Sequence, residues 1–326
     1  MNRFLIENCS KKSIKKTHLN QLSNHTFVID TSIYLYKFMA LNALLENMYL
    51  FISILKKYNI TPIFIFDGKP PPEKKALLEQ RKMEKKDAQQ RYNETEKKLV
   101  MSGLSAESRN KLLSELDILK RQIIRIREED VMNVKKLLDA YGVTYYTSYT
   151  EADQLCSYLV KSGQAWACVS DDMDMFLYGC NRVLRHISLL NHTVVYYDFE
   201  TILKDLKMSE TNFREIMVLS GTDYNMNTNA NLYNTIQYYE SYSKDRFCKN
   251  QNQDQGFYEW LLENTTYIQN EDLLTNTYNM FLLEKYQFDS NFIITNNNNN
   301  NKINYTELQT ILKKEGFLFP PISIRK

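Results

Sequence analysis

The stretch VSDDMDMFLYG, residues 169–179, places three aspartates within four positions directly after an apolar run. Crowded carboxylates repel one another, and a proton, a cationic side chain or a metal ion must offset that repulsion. Other acids repeat the placement. Asp30 ends HTFVID, Asp67 follows TPIFIF, Glu151 and Asp153 open the helical segment EADQLCSYLV, and Asp223 follows VLSGT. Each has an ordinary explanation when taken alone. Asp30 reads as a helix cap, Asp67 as part of an Asp-Gly turn, and Thr150 with Asp153 as a capping box. Asp171 and Asp172 read as complements to a helix dipole, and Asp223 as loop decoration. Taken together they recur at one kind of place, the ends of apolar strands and helices, and so read as a single site. Hard divalent ions such as Mg²⁺ take oxygen ligands and keep several waters. Two such ions about 4 Å apart can activate a water and stabilise the leaving oxygen of a phosphodiester. Seven acids with no catalytic His or Cys is the inventory that this chemistry needs.

The elements that must position these acids are legible as apolar runs. Buried strands are expected at 25–30, 61–68, 142–148 and 165–172, with helices over 31–58, 152–161 and 212–219. Strands alternating with helices predict an α/β fold with a mostly parallel sheet flanked by helices. In such sheets ligands bind beyond the carboxyl ends of the strands, where these acids fall.

Between strands two and three lies a charged, mostly helical insertion, 73–140, with a break expected at MSGLS, 101–105. Leu112, Leu116, Leu119, Ile123 and Ile126 form one apolar stripe along its second half. Residues 73–100 carry nine Lys or Arg against six acids, and 109–136 eight against five, so each half is net +3. A solvated helical hairpin would account for that composition on its own. After Asp223 the chain turns Asn-rich, and TNNNNNNK, 295–302, reads as a low-complexity surface loop.

Composition narrows the classes. At 43% hydrophobic and 13% aromatic residues, 326 residues can build a full core. No uninterrupted apolar run is long enough to span a membrane, and the N-terminus lacks a secretory apolar core. Five cysteines without a CxxC pair fit reduced thiols in an intracellular setting. A net charge of +2 means that a nucleic-acid partner would be met by a local patch.

Five segments carry a specific resemblance: FVIDTSIYLYKF, IFIFDGKPPPEKK, YTEADQLCSYLV, SDDMDMFLYG and VLSGTDYN. In this order, over residues 27–225, they resemble the successive blocks of the flap endonuclease / XPG family of structure-specific 5′ nucleases. The resemblance implies a PIN-like nuclease core over 1–224 in which 73–140 forms a helical arch. A helical C-terminal region, 225–326, would follow. It implies two Mg²⁺ ions, for which Mn²⁺ could substitute. The first would be held by Asp30, Asp67, Glu151 and Asp153, the second by Asp153, Asp172, Asp174 and Asp223. Asp153 stands where the family usually has Glu. Lys74 and Arg81 match the family's basic pair at the base of the arch, facing the scissile phosphate. Tyr36 matches a tyrosine on which a base stacks, and reads otherwise as a plain helix aromatic. Lys120, Arg121 and Arg125 are expected as further DNA contacts.

Two departures are expected to matter. The family's Met-Gly-Ile start has no counterpart before NRFLIENCSKKS, and its Gly-x-Gly-Pro-Lys duplex grip is replaced by NMNTNANLYNTIQYY. The segment QTILKKEGF lacks the paired aromatics of a sliding-clamp peptide and reads as a structural helix. The resulting expectation is a monomeric, Mg²⁺-dependent, structure-specific 5′ flap endonuclease/5′-3′ exonuclease acting on branched or flapped DNA in replication, repair or recombination. A gap or Holliday-junction nuclease of the same family, a non-catalytic nucleic-acid-binding scaffold and a small RNase of the same broad fold are the alternatives. The last predicts a much shorter chain without an arch. The Asn tracts resemble those of a large DNA virus or an AT-rich protist, which leaves nucleus and viral replication compartment both open.

Overall fold

The computed structural model describes residues 1–100, 105–224, 230–249, 256–268, 271–286, 288 and 302–318, the side chains of 246–249 excepted. Seven strands form one sheet: β1 (Ile14–His18), β2 (Thr26–Asp30), β3 (Thr61–Phe66), β4 (Tyr145–Thr147), β5 (Ala167–Val169), β6 (Arg182–Ser188) and β7 (Thr193–Asp198). Their order is β1-β7-β6-β5-β2-β3-β4. The block β6-β5-β2-β3-β4 is parallel, while β7 runs antiparallel to both β6 and β1. The four expected strands are present and parallel, as the strand–helix alternation requires. β1, β6 and β7 had not been expected.

The sequence steps outward from β2 through β3 to β4, then returns to place β5 on the other side of β2. That reversal splays the connections apart and opens a crevice at the carboxyl ends of β2 and β5. Asp30 and the 170–174 turn emerge there.

Strand alternation divides the core between the two faces. Phe27, Ile29, Phe64 and Phe66 pack on one face with α2 (Thr31–Ala40), α3 (Leu44–Lys57) and α6 (Glu128–Tyr141). Val28, Ile63 and Ile65 point to the other, toward α7 (Ala152–Lys161), α8 (Phe199–Leu206) and α9 (Glu210–Leu219). The first helix, α1 (Asn2–Asn8), buries Leu5 in this second cluster. The single helix expected over 31–58 is two, because Asn42 adopts a left-handed conformation (φ 52°) between α2 and α3. Asn tolerates that region because its short polar side chain bonds locally. Gly142, at φ 65°, ends α6 and turns the chain into β4.

Of the insertion expected over 73–140, the projecting part is α4 (Lys75–Val100) packed on α5 (Ala106–Gln122), while its last stretch is α6, which packs on the core. Residues 101–104 of the expected break lie outside the described residues, and Ser105 caps α5. Of the apolar stripe Leu119 is fully buried and Leu112 and Leu116 partly so, while Ile123 and Ile126 fall beyond the helix end. The C-terminal part is mainly helical among the described residues: α10 (Leu232–Lys249), α11 (Phe257–Asn264), α12 (Glu271–Met280) and α13 (Tyr305–Lys314). α13, which contains QTILKK, buries Leu308 and Leu312 against the first core face beside α6. The Asn-rich stretches 225–229 and 295–301 lie outside the described residues. No helix among the described residues is long and apolar enough to cross a membrane.

Candidate active site

Each acid reaches the sheet edge by a different local device. Asp30 is the last residue of β2 and stands at the N-cap position of α2, yet its side chain makes no capping bond. It accepts a hydrogen bond from Ser170 Oγ at 3.0 Å and is 4% exposed.

Asp67 follows β3. Its Oδ1 accepts the Ala152 N–H at 2.8 Å, and its Oδ2 accepts from the Ser32 hydroxyl. Asp67 thus caps a helix remote in sequence, α7, placing a carboxylate at that helix's positive end. The close pass this needs explains the next residue: a Cβ on Gly68 would sit 2.0 Å from the Ser148 carbonyl oxygen. Any side chain there would push β3 away from the 148–150 segment, and with it Asp67 from Glu151.

Glu151 stands at the N-cap of α7 and, like Asp30, leaves the cap unmade. Its Oε1 accepts from Lys74 Nζ at 2.5 Å and its Oε2 from the Tyr224 hydroxyl. Thr150 donates to Gln154 instead of joining Asp153 in a capping box. Within the turn after β5, the Asp172 N–H donates to Ser170 Oγ (3.1 Å) and Asp174 N–H donates to Asp172 Oδ1 (2.8 Å). Asp223 Oδ2 accepts from Arg81 at 3.0 Å and lies 3.8 Å from Lys74 Nζ.

These groups also perturb one another's charge. Burial, then repulsion from Asp67 and Asp172 against the Ser170 hydrogen bond, pushes Asp30 up to about 7. Burial raises Asp153 well above the usual carboxylate range, reinforced by Asp30, Asp172, Asp67 and Glu151. Burial also raises Asp174, with Asp172, Asp223 and Glu151 adding to it and the Lys74 charge opposing. Lys74 keeps its proton more firmly: burial works against it, and the Glu151 contact with Asp153 and Asp223 outweighs that cost.

No group of three or more His, Cys, Asp or Glu side chains among the described residues closes into a metal-binding cluster. The donor chemistry nevertheless fits a hard divalent cation. The set is oxygen-only, mutually repelling and concentrated at one edge, and such ions need only one or two direct carboxylates with waters completing the shell.

The other expected residues lie on the insertion or beside it. Lys74 ends a short 3₁₀ helix (Pro72–Lys74) and Arg81 lies on α4, so both basic residues meet the acids. Tyr36 on α2 is 45% exposed, with Lys85 Nζ 5.0 Å from its ring centroid. Lys120, Arg121 and Arg125 are exposed around the end of α5, and Arg121 pairs locally with Asp117 at 2.7 Å. No contact joins these three to the acids among the described residues. The sequence reading missed Tyr224, which bonds Glu151 and stands under Lys74 with Nζ 4.9 Å from its ring. It also missed Ser170 and Ser32, which orient Asp30 and Asp67. The available signal was adjacency: each lies one or two residues from an acid of the site.

Residues 3–88 match the XPG N-terminal domain and residues 142–223 the XPG I-region. Flap endonuclease 1 of Methanococcus aeolicus is 30% identical over 228 residues, 65% of this chain and 66% of that protein. Flap endonuclease 1 of Chlamydomonas reinhardtii is 28% identical over 230 residues, covering 65% and 55% respectively. The chain thus spans less than two thirds of these relatives' length. Among solved structures, the catalytic core of Rad2 in complex with DNA substrate superposes with TM-score 0.65 at 20% identity, over 96% of this chain and 94% of that one. Human GEN1 in complex with Holliday junction DNA gives TM-score 0.58 at 15% identity, over 94% and 72%. At these identities the two structures establish the fold. With both XPG regions matched in order around the insertion, the chain belongs to the flap endonuclease / XPG family.

Proposed function

We propose that this chain is a Mg²⁺-dependent, structure-specific nuclease that cuts branched or flapped DNA. The observation that carries the reading is a single sheet edge with seven carboxylates, faced by Lys74 and Arg81 from the insertion. Asp30, Asp67, Glu151 and Asp153 would hold one divalent ion, and Asp153, Asp172, Asp174 and Asp223 a second. Bound there, such ions would supply a water of lowered pKa and neutralise charge on the leaving oxygen. The chain's own groups do the rest. Lys74 offers a compact positive charge and Arg81 a two-pronged donor, and both can turn from carboxylate to the scissile phosphate. Asp67 and Ser170 fix the carboxylates, so little reorganisation accompanies reaction. In this reading α4 and α5 form an arch over the edge, and Tyr36 on α2 offers a ring to a base near the branch. The basic residues around the end of α5 contribute phosphate affinity, and the chain acts as a monomer. A non-catalytic scaffold is disfavoured because all seven acid positions carry carboxylates.

The test is cleavage of labelled 5′-flap, 3′-flap, gapped and Holliday-junction DNA, with Mg²⁺, with Mn²⁺ and with chelator. Metal-dependent cutting at the 5′-flap branch is expected. Equal cutting of all four substrates, or cutting that survives chelator, would sink the proposal.

A further inference from the structure

Asp171 is the one acid in SDDMD outside the proposed metal set, and the structure gives it another occupation. Its Oδ1 accepts the His186 N–H at 2.6 Å, and its backbone carbonyl accepts Arg185 Nη2 at 2.7 Å. His186 is held at φ 54°, within a register shift between Arg185 and Ser188 that breaks the β6–β7 ladder. Such a bulge turns a backbone N–H out of the sheet and toward another target. One residue earlier, Ser170 N–H donates to the Leu184 carbonyl at 3.2 Å. Three successive residues of β6 therefore grip two successive residues of the acid turn.

Arg185 is an expensive choice for this place. It is 5% exposed, and its Nε is buried without a partner among the described residues. An orphaned buried donor is unfavourable, and an apolar side chain would avoid that cost. Both its terminal nitrogens are engaged: beside the Nη2 bond, Nη1 donates to Asn2 Oδ1 at 3.0 Å, which also accepts the Tyr197 hydroxyl at 2.8 Å. The guanidinium also lies 5.6 Å from the Tyr197 ring centroid. It thereby ties α1, β7 and the acid turn into one network.

We propose that Arg185 is a positioning residue which, through Asp171, sets the turn that presents Asp172 and Asp174 to divalent metal. The relay is continuous. Arg185 and His186 fix Asp171, and the Ser170 hydroxyl next to it takes the Asp172 N–H and donates to Asp30. Asp172 then takes the Asp174 N–H. The proposal rests on the nuclease reading above, since it assigns metal binding to Asp172 and Asp174. Outer residues that orient metal ligands typically cost about 10–100-fold in metal affinity when removed.

The experiment measures Mn²⁺ binding to the full chain without DNA, by electron paramagnetic resonance of the free ion, alongside a thermal melt. Arg185→Met and Asp171→Ala should each weaken Mn²⁺ binding about 10–100-fold at temperatures where both variants remain folded. Arg185→Lys, which can still donate to the Asp171 carbonyl, should recover part of the loss. Asp171→Asn keeps the acceptor for His186 N–H and should stay within about threefold of the parent. If Arg185→Met does not fold, Arg185→Lys decides: a single ammonium cannot hold Asn2 and the Asp171 carbonyl together, so its Mn²⁺ affinity should still fall below the parent's. Unchanged Mn²⁺ affinity in the folded variants would overturn the proposal. So would equal losses for Asp171→Asn and Asp171→Ala, which would make Asp171 a ligand. Asp172→Asn separates the two levels. If it loses Mn²⁺ while Arg185→Met does not, only the positioning role fails; if it binds like the parent, the metal-site reading fails with it.

Discussion

The acid edge and the α4–α5 pair carry charge in opposite ways. At the edge, carboxylates are drawn in against their mutual repulsion and pinned by short hydrogen bonds from Ser170, Ala152, Ser32 and neighbouring N–H groups. On the helical pair, burial is sparse: Leu77, Ala88 and Thr95 on α4 and Leu119 on α5. The remaining charges stand in solvent, joined by exposed pairs such as Arg91–Glu115 at 3.1 Å. Exposed pairs contribute little, about 0–1 kcal/mol each. Strain is thus concentrated where chemistry would occur, and looseness where a long polyanion would have to be admitted. Among the described residues, Lys74, just before α4, and Arg81 on α4 make the ion pairs to the acid edge.

The largest expected effect comes from discharging the edge. Asp174→Asn should lower single-turnover cleavage by more than about 10³-fold. The same change relieves repulsion, so its melting temperature in chelator should equal or exceed the parent's. Loss of both activity and stability would mean that Asp174 is structural.

Arg81→Ala should come next, lowering the single-turnover rate by about 10²-fold with a much smaller change in DNA affinity. Replacing Lys120, Arg121 and Arg125 should do the reverse, weakening affinity and flattening its log–log salt slope by about 0.9 per lost phosphate contact. Equal, small effects at all four positions would reduce the pair to a solvated hairpin.

Leu119→Ala probes the pair's thin core. A loss of about 2–3 kcal/mol is expected locally. In hydrogen exchange it should appear as faster exchange of α4 and α5, with β2 and β3 unchanged. Faster exchange throughout, β2 and β3 included, would show that the pair and the sheet unfold as one unit.

The smallest effect belongs to the scaffold. Burial raises Asp198, but Thr201 N–H and hydroxyl (2.9 and 2.8 Å), the Tyr196 hydroxyl (2.8 Å) and the Arg182 charge outweigh it and lower its pKa. A lowered carboxylate stabilises fully above its unfolded pKa of about 4 and loses that contribution as pH falls through its folded value. Asp198→Ala should therefore cost about 1 kcal/mol at pH 7, and the gap between the two melting curves should close toward pH 2. A gap that persists at pH 2 would assign the loss to packing.

The site was more legible than the frame around it. Acids directly after apolar runs mark strand ends, and parallel strands bring those ends together, so the seven acids could be grouped without knowing the sheet order. The hairpin β6–β7 escaped because its turn, Leu189 to His192, lacks Gly and Pro; His192 takes the left-handed conformation (φ 52°) in their place. Asn42 hid the α2–α3 break in the same manner. β1, Ile14–His18, reads as polar because its residues mostly face solvent beside β7. In sequence Asp171 reads as a complement to a helix dipole, because its partner, the His186 N–H, exists only once β6 bulges.

That polar strand has a consequence for the molecule among its neighbours. A sheet edge offers unpaired N–H and C=O groups to any passing chain, and long apolar edges invite intermolecular stacking. Here one border is β1, where the exposed Lys15 and Lys16 sit at mid-strand, and the other is β4, only three residues long. A strand from a second molecule would meet two exposed ammonium groups beside the first border and would find scarcely any ladder at the second. The sheet is thereby guarded against edge-to-edge growth, and replacing both lysines with valine is the change that would open it to fibrils.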